Sequence, residues 1–345
     1  MASAQRVKLI DVALAAGVHP GTASRALNPA TRGRVSPETS RRILKAAERL
    51  GYVPNTLARG LRTSKSFVVA MVVPDITNAL FPPMVRGAEQ VLSLAGYTLV
   101  LTDTDNDADT ERRQVEQLRG RGTDGFIIAT ARWHDPMLEE IADLGVPAVL
   151  VNRNIGSRRL PYVGADERTG MQLAVEHLAE LGHRRMAHLG GPQDTSTGRD
   201  RASAFRQAVD GLGLPTSKSM VRVCASYTEA AGAEATRRLL TSGQDVTAIL
   251  CANDLIALGA LSVLAEHGIR CPEDMSVIGF NNMAMVDRLT PPLTTVRLPL
   301  HQIGELSARQ LLAEIEGGPQ NVGASQTLLG VQLAVRGTTA APPTS

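Results

Sequence analysis

Aromatic rings are scarce in this chain: five Phe, four Tyr and one Trp among 345 residues. Its cores must therefore be built mainly from Ala, Val, Leu and Ile. Cysteine is almost as rare. Cys224, Cys251 and Cys271 are an odd number without metal-ligand spacing, which argues against a disulfide framework or a zinc site and for buried free thiols in a reducing compartment. Long apolar runs are lacking too. Stretches such as 67–74 and 125–129 are strand-sized, far short of a membrane span, and residues 1–11 hold no apolar segment of the secretory kind. These absences point to a cytoplasmic protein with no membrane association.

Catalytic signatures are missing as well. There is no G-x-S-x-G, no H-E-x-x-H and no P-loop, so an enzyme is not expected, nor a cofactor or a metal. Gly190-Gly191-Pro192 lacks the phosphate-loop lysine and reads as a chain turn. His183 and His188 read as a surface and a packed histidine. The carboxylates of residues 103–107 read as a solvated turn between a strand and a helix.

What the chain does have is a charge asymmetry. Residues 1–65 carry twelve Lys and Arg against three acids, a net +9, which leaves −7 for the rest. A basic headpiece on an acidic body suits a nucleic-acid binder. Three helices are expected within residues 7–50. The first, over 7–16, has apolar residues at Leu9, Val12, Ala13 and Ala16 and ends at Gly17. A second runs from Pro20 to Leu27 and is broken by Asn28-Pro29. The third opens with Ser36 as N-cap and Pro37 in its first turn, burying Ile43, Ala46, Ala47 and Leu50. Beyond Ser64, apolar strand-like runs alternate with helical segments, the pattern of an α/β protein with parallel sheets covered on both faces, here in two lobes.

The segment from Ile10 to Val18 followed by Thr22 to Asn28 reads as a helix-turn-helix. Small Ala13 allows close helix approach, Gly17 makes the turn, and Val18 and Ala23 face the bundle. Pro20, Gly21, Thr22, Ser24, Arg25 and Asn28 remain on the outer face, with hydroxyls suited to phosphate oxygens and Arg25 to a guanine edge. Lys8 and Leu9 at the start of the first helix complete the candidate DNA contacts of the headpiece.

Here the chain resembles the LacI/GalR family of bacterial transcription regulators over nearly its whole length. The match is carried by Asp11-Val12-Ala13, Ala16-Gly17-Val18, Ser24-Arg25, Asn28 and Gly51-Tyr52-x-Pro54-Asn55. It continues through Val73-Pro74-Asp75-Ile76-Thr77-Asn78, Gly182-His183-Arg184-Arg185, Asn253-Asp254, Val277-Ile278-Gly279-Phe280 and Pro292-Leu293-Thr294-Thr295-Val296. The resemblance implies a headpiece (1–54), a hinge helix and linker (55–65), and a two-lobed periplasmic-binding-protein-like core. Residues 66–162 and 293–320 are assigned to its first lobe and 163–292 and 321–337 to its second. Residues 338–345 are expected to be a disordered tail.

It further implies a homodimer reading a pseudo-palindromic operator in double-stranded DNA. Asn55, Ala58, Leu61 and Arg62 would serve the hinge, with Leu61 wedged into the minor groove. The Pro20-Gly21 pair departs from the polar or aromatic residues of many relatives and shifts base readout toward Arg25, Thr22 and the hinge. No heptad pattern follows Val335, so a dimer is the expected assembly.

A small sugar-like effector is expected between the lobes, where loops leave the carboxyl ends of parallel strands. The candidates are Phe81, Asn152, Arg153, Thr197, Arg199, Arg201, Asn253 and Asn281. Arg201 matches the arginine that grips effectors in the family, and Phe81 is read as stacking on a ligand face. Asn281 replaces the Asp of most relatives. With Arg153 nearby, this raises the prospect of a phosphorylated or acidic sugar.

Overall fold

The apolar spacing of the first fifty residues folds into three helices, α1 (Leu9–Ala15), α2 (Pro20–Leu27) and α3 (Pro37–Leu50). The computed structural model describes residues 7–27, 31–52, 65–214, 220–317 and 324–343. It divides into two units, Met1–Ser66 and Phe67–Ser345. In the first, local chemistry sets the helix ends. Gly17 adopts φ +61°, a left-handed conformation that costs an L side chain energy, and the chain turns there between α1 and α2. Ser36 accepts the Thr39 N–H through its side chain, Pro37 follows, and Gly51 closes α3 at φ +63°. Val12, Ala13, Ala16, Ala23, Ala26, Ile43, Ala46 and Ala47 form the core, with Val18, Leu50 and Tyr52 packed partly against it. Small alanines let the helices approach closely around Ile43.

Among the described residues the second unit holds two six-stranded sheets. One contains β1 (Val68–Val73), β2 (Thr98–Asp103), β3 (Gly125–Ile128), β4 (Ala148–Val151), β5 (Tyr162–Ala165) and β11 (Gln326–Leu329), in the order β11-β5-β4-β3-β1-β2. The other contains β6 (Met186–Gly190), β7 (Val221–Val223), β8 (Ala248–Cys251), β9 (Ser276–Asn281), β10 (Thr294–Arg297) and β12 (Gln332–Ala334), in the order β12-β10-β9-β8-β6-β7. All pairings are parallel except β10 with β12. Parallel strands need crossovers, and helices supply them. They are α4 (Phe81–Leu94), α5 (Ala108–Gly120), α6 (Pro136–Asp143), α7 (Glu167–Glu180), α8 (Ser196–Gly211), α9 (Glu229–Thr241), α10 (Asp254–Glu266) and α11 (Leu300–Gly317). Strands covered on both faces are apolar throughout, and β3, β4 and β8 are fully buried.

This pairing corrects the expected lobe boundaries. β5 belongs to the first sheet, so that lobe extends past residue 162. β10 pairs with β9 in the second lobe, although residues 293–320 were assigned to the first. β11 pairs with β5 in the first lobe, although residues 321–337 were assigned to the second. Which sheet a four-residue strand joins is decided by non-local pairing, which local periodicity does not encode. The chain thus crosses between lobes three times, after β5, after β10 and after β11.

The disordered tail is corrected in the same way. Thr338 is completely buried. The Val277 N–H donates to the Thr338 carbonyl at 2.8 Å, and the Thr338 hydroxyl donates to the Val277 carbonyl at 2.6 Å. The Ala340 N–H donates to Ser276 Oγ at 3.1 Å. Polar composition misled because these hydroxyls satisfy the end of a sheet rather than water. His183, expected at the surface, is buried in the same place. Its Nε2 donates to the Ala340 carbonyl at 2.9 Å and its Nδ1 bonds the Thr247 hydroxyl at 2.8 Å. His188 is packed, as its sequence context suggests.

Among the described residues no helix is long and apolar enough to cross a membrane. The three cysteines are free thiols, Cys224 and Cys251 buried and Cys271 half-buried. Burial pushes the Cys224 thiol up to about 11 and the Cys271 thiol to about 12, which makes both poor nucleophiles.

Candidate functional site

The loops that leave the carboxyl ends of the strands converge on a cleft between the lobes. Asn78 and Leu80 come from the β1–α4 connection, Phe81 opens α4, and Asn152 and Arg153 follow β4. From the second lobe come Thr197 and Arg201 in the first turns of α8, Tyr227 before α9, Asn253 before α10, and Asn281 at the end of β9. Together they line the cleft, which closes tightly around its centre. Two of the asparagines sit in strained backbone, Asn152 at φ +65° and Asn281 at φ +112°. Strain of this kind persists only where surrounding structure imposes it, and it clusters at binding sites.

Two arginines dominate the electrostatics. Arg201 is buried, donates to Glu167 through Nε (2.5 Å) and an Nη (3.0 Å), and also donates to the Ala252 carbonyl. Its guanidinium lies 3.9 Å from the centre of the Phe280 ring. Glu167 opens α7, so this ion pair ties α7 to α8 at the back of the cleft. Arg153 is placed differently. It is 7% exposed, makes no ion pair among the described residues, and its Nε has no hydrogen-bond partner. Burial pulls its pKa below the usual arginine value, although a guanidinium stays charged under all ordinary conditions. The Tyr227 ring lies 5.3 Å from it. The Tyr227 hydroxyl is fixed in turn by Thr195 at 2.9 Å and Thr197 at 2.8 Å. Gly191 is what admits that ring, since a Cβ there would stand 2.4 Å from it. The glycine loop after β6 therefore makes room as well as turning.

The asparagines also divide by role. Asn253 is fully employed: its Oδ1 accepts the Ile256 N–H at 2.8 Å, and its Nδ2 donates to the Tyr227 carbonyl at 3.1 Å. Asn281 Oδ1 is buried without a partner. Two unsatisfied polar atoms in one enclosed space, a donor on Arg153 and an acceptor on Asn281, fit a ligand that supplies the complementary groups. At the rim, the Trp133 N–H of the first lobe donates to the Asp194 carbonyl of the second at 2.6 Å, and Arg199 lies 4.7 Å from the Trp133 ring. The Asn154 N–H donates to Ser196 Oγ at 2.9 Å beside them.

In the headpiece, Ala23 and Ala26 bury one side of α2. Arg25 is exposed, and Pro20, Gly21, Thr22 and Ser24 are half-exposed. Arg25 Nε donates to the Gly21 carbonyl at 3.1 Å, which lays the guanidinium along its own helix. Lys8 is exposed and Leu9 packs partly against the core. Among the described residues no headpiece Lys or Arg is paired with a carboxylate, so this basic charge stays available to phosphates. Asn28, Asn55, Ala58, Leu61 and Arg62 lie outside the described residues.

A family model described as bacterial regulatory proteins, lacI family, matches residues 8–55, and one described as a periplasmic binding protein-like domain matches residues 175–339. The ribose operon repressor of Halalkalibacterium halodurans is 32% identical over 309 residues, covering 90% of each chain. The chain belongs to the LacI family of bacterial regulatory proteins. It is accordingly a DNA-binding transcriptional regulator and not an enzyme. Two solved structures share its LacI-family fold. A CelR–cellobiose complex superposes with a TM-score of 0.73 at 32% identity, covering 96% of this chain and 100% of that one. A lac repressor dimer bound to operator reaches 0.82 at 26% identity, covering 98% and 100%.

Seven of the eight candidate effector residues of this LacI-family chain line the cleft: Phe81, Asn152, Arg153, Thr197, Arg201, Asn253 and Asn281. Arg199 does not. It is exposed over Trp133, because residues two apart on a helix point to nearly opposite sides and Arg201 already faces inward. Sequence reasoning places the loop 75–81, which holds Asn78 and Leu80, at the cleft without singling those two out, and it missed Tyr227. Tyr227 follows β7, a three-residue strand too short to register as one, so the loop it belongs to went unmarked. It also missed His19, which caps α2 by accepting the Gly21 N–H on Nδ1 at 3.1 Å. Its position just before Pro20 was the available signal, though a histidine is an unusual cap. The carboxylates of 103–107 have structural duties: Asp107 caps α5, and Asp103 accepts the N–H groups of Ile76 and Asp105.

Proposed function

We propose that this chain is a cytoplasmic repressor of carbohydrate-utilisation genes, acting as a homodimer on a pseudo-palindromic operator and switched by a small sugar-like effector between its lobes. The observation that carries the reading is the cleft itself. Amides, hydroxyls and guanidinium groups from both lobes converge there, and the donor on Arg153 and the acceptor on Asn281 are left open. That inventory suits a hydroxyl-rich ligand. A ligand that touches both lobes prefers one lobe arrangement over another, which is the only way it can shift the DNA-binding equilibrium. On the DNA side, Lys8, Leu9, Pro20, Gly21, Thr22, Ser24, Arg25 and Asn28 serve the major groove and its phosphates. Asn55, Ala58, Leu61 and Arg62 serve the hinge, with Leu61 inserted between base steps.

The test is a thermal-shift screen of the full chain over mono- and disaccharides, followed by operator anisotropy titrations with and without each hit. A sugar that raises the melting temperature and changes operator affinity supports the reading. A chain that binds its operator yet responds to no carbohydrate refutes the effector assignment.

A further inference from the structure

Among the side chains that line the cleft, the charged ones are Arg153 and Arg201, and no Asp or Glu lines it. Arg201 is neutralised by Glu167 through two hydrogen bonds. Arg153 has no such partner. The ionisable groups around it are the Tyr227 phenol, Asp194, Arg132 and Glu111, and none forms an ion pair with it. Asp194 is exposed, and Glu111 is already engaged by Thr130 and Arg132. Among the described residues the cleft therefore carries one positive charge without an ion-pair partner, on a side chain 93% buried whose Nε donor is unpaired. A guanidinium in that state is stabilised most by a carboxylate or phosphate, whose oxygens match its planar fork. Tyr227, held by two threonines, fixes the guanidinium beforehand, so little ordering is lost on binding. Asn281 Oδ1, without a donor, then takes a hydroxyl.

We infer that the effector is an anionic sugar, a sugar acid or sugar phosphate, whose negative group seats on Arg153 while a hydroxyl donates to Asn281. This rests on the reading of the cleft as the effector site and specifies its ligand class.

The experiment is isothermal titration of the full chain, in a buffer free of phosphate and sulfate, with matched pairs: glucose with glucuronate and glucose 6-phosphate, galactose with galacturonate, ribose with ribose 5-phosphate. At least one acid is expected to bind about 10–100-fold more tightly than its neutral partner, the range for a hydrogen bond to a charged group. Uronate and phosphate arms distinguish the two sources of charge. Arg153→Met is expected to erase the preference for the acid, and Asn281→Asp to weaken the acid more than the neutral sugar. Thermal melts of both variants establish that they fold, and Arg153→Lys, which keeps the charge but loses the fork, is expected to retain part of the preference. Neutral sugars bound as tightly as their acids would overturn this inference and leave the carbohydrate reading standing. Binding of neither kind would overturn both.

Discussion

His188 should make this protein acid-sensitive in a way that a single substitution reveals. The residue lies in β6, is fully buried, and stacks on Phe205 with ring centres 5.3 Å apart. Its Nδ1 donates to the Leu250 carbonyl at 2.9 Å, so the proton sits there and Nε2 is left as a bare lone pair without a partner. Protonating Nε2 would bury a charge with nothing to accept its hydrogen, and burial lowers the pKa to about 4. The unfolded imidazole titrates near about 6.5. The stabilisation is therefore complete above that value and is lost as pH falls toward 4, because the unfolded chain takes up a proton that the fold refuses. At about 1.36 kcal/mol per unit, the loss amounts to about 3 kcal/mol. Asp254 works in the opposite sense. Burial raises its carboxyl to about 6, so the fold gains about 3 kcal/mol as pH falls from there to the ordinary range. The two offset each other, and the wild-type profile alone is uninformative. Urea unfolding of wild type and His188→Gln from pH 7.5 to pH 4 isolates the histidine: wild type should lose about 3 kcal/mol relative to the variant. Parallel curves would refute the assignment of the proton to Nδ1 and the cost of charging Nε2.

Glu167→Gln should destabilise the second unit by about 3–5 kcal/mol by leaving Arg201 buried and unbalanced. Replacing both partners, Glu167→Met with Arg201→Met, should recover most of that in a thermal melt, and a double variant as unstable as the single would count against the argument. Gly304→Ala should cost about 1–3 kcal/mol, since a Cβ at Gly304 would stand 2.0 Å from the Met84 carbonyl and force α11 away from α4; an unchanged denaturation midpoint would contradict it. Arg25→Ala should abolish the preference for a matched over a scrambled operator. Lys8→Ala or Arg41→Ala should weaken both about equally, and anisotropy titrations that show selectivity intact in Arg25→Ala would remove that residue from base readout.

What could be read in the sequence is what is encoded locally. Ser36, Pro37 and Gly51 mark the ends of α3 with side-chain and backbone chemistry within a few residues, and the structure places the ends of α2 and α3 as expected. The cleft was legible because its residues stand just beyond apolar runs, where parallel strands deliver their loops. β5, β7, β10, β11 and β12 were not, being short segments outside any continuous apolar run and identified only by what they pair with. Arg199 and Arg201 were both plausible until the phase of α8 was known. His183 and Thr338 look like surface residues in sequence because their partners lie between 44 and 157 residues away.

The three crossings between the lobes bear on how the chain is made. Among the described residues the headpiece core draws on positions up to Tyr52, so it forms early in synthesis. The first lobe lacks its edge strand until Leu329 has been added, and the second lacks β12 and the Thr338–Val277 pairing until almost the last residue. The first lobe is finished only a few residues before the second, which is completed last. A chain cut short near its end would carry an intact DNA-reading module on a body unable to close around a ligand, and its regulation would fail before its grip on DNA.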